Sequence, residues 1–322
     1  MKKRIISLLL AALLLAACLS GCAKSQSPDT IRVATLMGPT GMGMAKLMDD
    51  SAKGNTKNSY EFTVASAPDQ ITPAVITGEV DIAAVPVNLA SVLYQKTEKN
   101  VQLAAVNTLG VLYVLENGDT VHSVADLKGK SLMATGLGSN PEFVLNYILR
   151  RNGIDPESDL TIEYLTEHSE LAAQMTGGDT ALGMLPEPNV TAVLLNNPDV
   201  RIALDLTEEW NKVSDHALVQ GCIIVNKEFA EKYPAAVDTF LEEYGASVKY
   251  TQDAPEDAAA LIESAGIVPK AAIALKALPN CNICLLTGDE MKDSVREMLQ
   301  IFYDAEPKSV GGVLPDDAFY RE

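Results

Sequence analysis

Lys130-Ser-Leu-Met-Ala-Thr-Gly-Leu-Gly-Ser-Asn-Pro-Glu-Phe-Val-Leu-Asn-Tyr-Ile-Leu-Arg150 decides the fold class of this chain. Ser131 to Ala134 are small or apolar and follow the turn Asp126-Leu-Lys-Gly129, which reads as a buried strand of a parallel sheet. Thr135 to Asn140 is then a glycine-bearing loop. Asn140 is placed to cap the helix that follows, and Pro141 suits its first turn because the N–H that proline lacks had no partner there. Arg150-Arg151-Asn-Gly153 supplies cations and a stop. A strand ending in small residues at a helix N-terminus aims backbone N–H groups at one point, where the helix dipole favours an anion or a polar oxygen. Thr135, Gly136, Gly138, Ser139 and Asn140 are therefore expected to form one jaw of a small-molecule site, the alternative being a plain packing turn of a doubly wound domain.

A second copy of the pattern lies upstream. Ile31-Arg-Val-Ala-Thr-Leu36 reads as a strand, Met37-Gly-Pro-Thr-Gly-Met-Gly43 as a loop, and Met44 to Ser51 has helical spacing. Gly38, Thr40 and Gly41 are the counterpart jaw, with Thr40 as the cap. The segments downstream also correspond: Gly78-Glu-Val-Asp-Ile-Ala-Ala-Val-Pro86 matches Gly178-Asp-Thr-Ala-Leu-Gly-Met-Leu-Pro186 at an offset of 100 residues. Two similar α/β lobes, each offering a loop, are the simplest account.

The chain opens on a targeting pattern. Met1-Lys-Lys-Arg4 is basic, Ile5 to Leu19 is an apolar run too short to span a membrane comfortably, and Leu19-Ser-Gly-Cys22 follows. This resembles a bacterial lipoprotein signal and implies cleavage before Cys22 with lipidation of its thiol. Ala23 to Thr30 reads as a flexible stalk. The chain has 322 residues and a net charge of −18, which loss of Lys2, Lys3 and Arg4 takes to −21, with no basic cluster elsewhere. Such a charge excludes nucleic acid as a partner. About 300 residues is too many for one ordinary core and suits two domains. No later apolar run approaches the length of a membrane span.

Further along, strands are expected at 60–65, 81–85, 103–106, 111–115, 161–165, 182–185, 200–206 and 220–225. Helices are expected from Pro68 to Gly78, from Val87 to Gln95, at 169–176 and after Glu187-Pro188. The alternation implies an α/β fold with mostly parallel sheets. From Pro234 onward the spacing is helical at 234–253, 256–264, 270–276 and 289–302.

Asp126-Leu-Lys-Gly-Lys130, the loop ending Gly138-Ser-Asn140, Leu165 to Met175 with Thr176-Gly-Gly-Asp179, and Leu185-Pro-Glu-Pro188 together resemble substrate-binding lipoproteins of ABC importers. The likeness is to the branch that includes binders of sulfonates, taurine, nitrate and thiamine precursors, and it covers essentially the whole mature chain. It implies the type II periplasmic-binding-protein fold: two doubly wound lobes joined by two crossover strands, with the ligand cleft between them. Carried over, residues 29–113 plus 219–322 would be the first lobe, 114–218 the second, and 22–28 a lipidated tether. The family's site loops fall on Gly38 to Gly41, Val87-Asn88, Thr135 to Asn140 and Glu187-Pro188. The resemblance further implies an extracytoplasmic, lipid-anchored monomer that hands a small ligand to a permease driven by its ATPase, with no cofactor or metal. Met42-Gly-Met44 departs from relatives with more polar residues there, which leaves the ligand open.

The residues point to binding rather than catalysis. His122, His168 and His216 are scattered, so no histidine-based catalytic or metal cluster is visible, and each is expected to be solvated or structural. Gly136-Leu-Gly-Ser139 lacks the frame of a nucleophile elbow. Pyrimidine synthases that share the implied fold use a cysteine-rich motif and a sacrificial histidine, neither recognisable here. Cys222, Cys281 and Cys284 read as core thiols, with Cys281-Asn-Ile-Cys284 as a possible redox or metal pair. Glu187 is either a carboxylate partner for a ligand amine or a local helix cap. The expected ligand is small and bipolar, taurine-like or pyrimidine-like. A lipid-anchored scaffold or signalling protein with a degenerate cleft is the alternative function, and a pyrimidine-synthase-like enzyme the third.

Overall fold

The computed structural model describes residues 27–321. The expected signal peptide, at 1–21, and the expected lipidation of Cys22 lie outside the described residues. The first strands are β1 (Ile31–Leu36), β2 (Tyr60–Ala65), β3 (Ile82–Pro86) and β4 (Val101–Leu109). Then come β5 (Leu112–Asn117), β6 (Ser131–Thr135), β7 (Thr161–Leu165), β8 (Leu182–Pro186) and β9 (Val200–Asp205), followed by β10 (Val219–Asn226) and β11 (Ile283–Leu286).

Two sheets result, ordered β11-β4-β10-β3-β1-β2 and β7-β6-β8-β5-β9. Setting aside β11, the two orders superpose: β2-β1-β3-β10-β4 corresponds to β7-β6-β8-β5-β9. The segments matched at an offset of 100 residues become β3 and β8, each with four buried residues followed by a half-buried proline. Each occupies the middle of its sheet, covered on both faces, which is why both read as unbroken apolar runs.

The sheets are mixed rather than mostly parallel. The ladders of β1 with β2 and β3, and of β6 with β7 and β8, are parallel. Those of β10 with β3 and β4, of β11 with β4, and of β5 with β8 and β9 are antiparallel. The reversal has a topological cause: β5 and β10 each enter their sheet from the other one, so they arrive against the local strand direction. The first crossover is Gly110-Val111, and the second runs through residues 206–218. The strand expected at 200–206 stops at Asp205, whose carboxylate accepts from Thr207 N at 2.7 Å and caps a short helix, Leu206–Asn211.

Three apolar clusters hold the molecule together. One lies between the first sheet and the helices of the C-terminal third, around Phe240, Tyr244 and Ile262. A smaller one backs the second sheet around Leu171, Met175 and Val193. The largest belongs to both sheets: Phe143 of helix Asn140–Arg151 meets Phe302 of helix Gly288–Ala305, ring centroids 5.3 Å apart. Trp210, the one tryptophan, is buried in that cluster against Tyr147 at 4.9 Å, and its indole N–H donates to His216 O at 2.8 Å. Burying side chains of this size favours folding by about 1.5–3 kcal/mol each. Among the described residues no helix is long and apolar enough to cross a membrane.

Candidate functional site

The two sheets meet where the loop after β1 faces the loop after β8. Gly38, at φ 81°, would place a Cβ 3.8 Å from Pro188 Cδ. Ligands of open α/β sheets bind at such carboxyl edges.

On the first side, Gly38 N donates to Ile267 O at 3.0 Å, while Gly41 N and Met42 N donate to Gly38 O at 3.0 and 3.1 Å. Thr40 does not cap a helix as expected. It sits inside a short helix, Pro39–Met42, whose flanking residue is Gly38, and the helix expected from Met44 runs Ala45–Ala52. Thr40 O instead accepts from Asn107 Nδ2 at 2.9 Å. Asn107 is fully buried and ties this loop to the end of β4.

The second side also departs from the expected cap. Ser139 flanks helix Asn140–Arg151 and Asn140 is its first residue, so Asn140's side chain is released from capping and Nδ2 donates to Gln220 O on β10 at 3.0 Å. Glu142 takes over, its Oε2 accepting from Gly138 N at 2.6 Å, while Ser139 N and Oγ donate to Gly136 O at 3.1 and 2.7 Å. The loop therefore spends these donors on itself rather than aiming them at an anion. Gly136, at φ 86°, admits no side chain, since a Cβ would lie 2.7 Å from Pro141 Cγ.

Thr135 is buried at the end of β6, its hydroxyl 2.7 Å from His168 Nδ1. Burial pushes His168's pKa down, against the charge of Glu167, so the imidazole is neutral near pH 7. Asn88, on helix Val87–Lys96, lies apart from these groups in its bonding: Nδ2 contacts Ser309 O at 3.5 Å.

Glu187 is 1 % exposed. Its Oε2 accepts from Thr191 N at 3.0 Å, and its Oε1 from Thr191 Oγ1 at 3.0 Å and Asn280 Nδ2 at 3.3 Å. The carboxyl thus caps helix Asn189–Asn196 and bridges to a segment that follows the first sheet's helices. Tyr113 OH on β5 adds a bond to Asn280 O at 3.3 Å. Burial raises the Glu187 pKa, against the bonds from Thr191 and Asn280.

Asn107, Gln220 and Asn280 are missing from the sequence-derived set. Asn107 and Gln220 do carry a signal, being polar residues set into apolar strands; Asn280, after Pro279, carries none.

All three cysteines of the described residues are free, and Cys222 and Cys281 are buried. Burial, then the charge of Glu187, lifts Cys281 well above the ordinary thiol range, and burial chiefly lifts Cys284 to about 12. They behave as core thiols rather than thiolate nucleophiles. Among the described residues no group of three or more His, Cys, Asp or Glu could hold a metal ion. Thr40, Asn107, Asn140 and Gln220 offer uncharged hydrogen-bonding groups on the two sides, alongside the carboxyls of Glu142 and Glu187.

No curated protein matches the chain. Among solved structures it is similar to an ABC transporter from Parabacteroides distasonis, at 26 % identity and a TM-score of 0.77 over 92 % of this chain and 99 % of that one. It is also similar to the periplasmic aliphatic sulphonate binding protein SsuA from Escherichia coli, at 21 % identity and a TM-score of 0.73 over 89 % and 91 %. The periplasmic nitrate-binding protein NrtA from Synechocystis PCC 6803 follows at 11 % identity and 0.63 over 88 % and 85 %. These likenesses agree with the paired-sheet architecture. A profile of the NMT1/THI5-like family matches residues 59–258, and the chain belongs to that family.

Proposed function

We propose that the protein is the extracytoplasmic solute-binding component of an ABC importer, tethered by a lipid on Cys22, which captures a small polar or bipolar ligand by lobe closure and delivers it to a permease. The lobes of this reading are residues 29–113 with 219–322, and residues 114–218. The observation that carries it is the apposition of the Gly38 and Pro188 loops, at the carboxyl edges of two sheets with the same strand order. Family membership and the binding proteins among the structural neighbours support the same reading. Closure about the two crossovers would trap ligand between Thr40, Asn107, Asn140 and Gln220, with capture and no chemistry.

The test is mass spectrometry of small molecules released by denaturing the full chain purified in detergent, with thermal-shift confirmation. A stoichiometric compound that raises the melting temperature on re-addition supports the proposal, since at a hundredfold excess over Kd it stabilises the folded chain by about 2.7 kcal/mol. An empty cleft that also ignores sulfonates, amines and pyrimidines overturns it in favour of a scaffold.

A further inference from the structure

The first crossover, Gly110-Val111, is held from both sheets at once. On the first sheet's side, Asn282 Nδ2 donates to Gly110 O at 2.6 Å, and Leu109 N donates to Asn282 O at 3.1 Å. On the second sheet's side, Glu187 N donates to Val111 O at 2.9 Å. Two further bonds join these grips to each other: Asn280 Nδ2 donates to Glu187 Oε1 at 3.3 Å, and Asn280 O accepts from Tyr113 OH, also at 3.3 Å. Glu187 and Tyr113 sit on the paired strands β8 and β5 or directly after them, whereas residues 280–282 lead from helix Ala271–Ala277 into β11, whose Ile283 pairs with Thr108 of β4. The bonds therefore close a ring that starts at the crossover, passes through the second sheet and returns through the first. Asn282 lies at φ 43°, in the left-handed region, which asparagine enters more readily than most residues with a side chain. Cys281, fully buried, pins the segment between the two asparagines.

Resting on the lobe-closure reading above, we propose that residues 280–282 are a latch on the hinge: Asn282 anchors the segment to the first crossover and Asn280 holds the second sheet, so that the lobes stay closed without ligand. A turn about Gly110-Val111 that parts the two cleft loops carries Tyr113 and Glu187 away from Asn280, while Asn282 keeps the latch at the crossover. Both bonds to Asn280 must then break, and Glu187, at 1 % exposure, loses a partner that water does not readily replace. The two asparagines are positioning residues, acting on closure through the hinge and not through contact with ligand. A chain biased towards closure spares its ligand part of the free energy of closing, which tightens binding and slows entry.

The experiment is a pulsed electron paramagnetic resonance distance measurement on the full chain in detergent, stripped of small molecules by unfolding and dialysis. Nitroxides are placed at Asp69→Cys and Glu170→Cys, exposed positions shortly after the equivalent strands β2 and β7, with the chain lacking both substitutions as the labelling blank. The otherwise unaltered chain should give one short distance. Asn280→Leu deletes the donor to Glu187 and should add a longer distance, the open-to-closed ratio rising about fivefold or more, as expected for the loss of one buried hydrogen bond. Asn282→Gly tolerates the left-handed backbone, removes only the anchor on Gly110 O, and should open the lobes as well. Glu187→Gln combined with Asn280→Asp restores the bond with donor and acceptor exchanged, and should return the single short distance, a rescue that a mere packing role would not show. One unchanged distance in both Asn280→Leu and Asn282→Gly overturns the latch. So does a longer distance that persists in the exchanged pair, or a ligand-free chain already spread over both distances before Asn280 is altered. None of these outcomes bears on ligand capture, which the mass-spectrometric test decides separately.

Discussion

At the scale of single residues, Glu187 shows how a buried carboxyl can be read from its bonds. The folded protein holds its proton more tightly than the unfolded chain does, because burial outweighs the bonds from Thr191 and Asn280. A raised folded pKa contributes stability that is fully present below the unfolded value of about 4.5 and is lost as pH rises through the folded value. Glu187→Gln removes that titration and leaves an amide N–H where Thr191 N needs an acceptor, a loss of about 1–3 kcal/mol. Melting both proteins at matched pH should show the wild type gaining on the variant as pH falls from about 7 to about 4. A constant difference would mean that Glu187 stays ionised and well solvated. The residue itself was legible from the Leu-Pro-Glu-Pro motif, but its partners were not: Thr191 lies one helical turn away, whereas Asn280 is 93 positions distant. Asn140 was likewise visible as a polar residue at a helix start, yet only the crossing of β10 shows that its side chain leaves the helix for Gln220.

At the scale of elements, the chain writes its strands plainly and its strand directions not at all. β2 and β7 fall where the alternating or apolar patterns place them, and the 100-residue repeat locates β3 and β8 as equivalents. The sense of β5 and β10 depends on which sheet each enters, a long-range matter that no local pattern encodes. The crossover between β4 and β5 also carries a requirement hidden from the sequence. A Cβ on Gly110 would lie 2.1 Å from Thr207 Oγ1 and 2.9 Å from Leu218 Cδ2, so the two crossovers are packed against each other with no room between them. Gly110→Ala should cost about 1–3 kcal/mol by overpacking. Thr207 Oγ1 is buried without a partner, so Thr207→Ala alone should be neutral or slightly stabilising. The double variant should then recover part of the Gly110→Ala loss, and a denaturant double-mutant cycle measures that coupling. Strict additivity would show that the crossovers are not in contact.

At the scale of the whole molecule, two sheets joined by two short crossovers would ordinarily be expected to melt as two units, since chains of this length commonly fold domain by domain. The packing argues otherwise. The largest apolar cluster takes Leu36, Val85 and Val106 from the first sheet and Leu132, Val114 and Met184 from the second. It is closed by Phe143 against Phe302, and Phe302 is fully buried on the helix that ends the chain's long apron. His216 Nε2 and Glu297 Oε2, 3.1 Å apart, and Ser214 Oγ to Glu297 Oε1, also 3.1 Å, add polar ties on the same side. A core shared in this way couples the unfolding of one sheet to that of the other. Trp210 reports on the second crossover, while far-UV circular dichroism reports on all the helices, so the two probes should trace one coincident denaturant transition. Phe302→Ala should lower stability by about 3–5 kcal/mol, because it empties a site that both sheets line. It should also pull the two transitions apart, with the Trp210 signal and the dichroism moving at different denaturant concentrations. Separate transitions already in the wild type would mean that the shared cluster contributes too little to couple the sheets, and the lobes would then be independent folding units linked only by their crossovers.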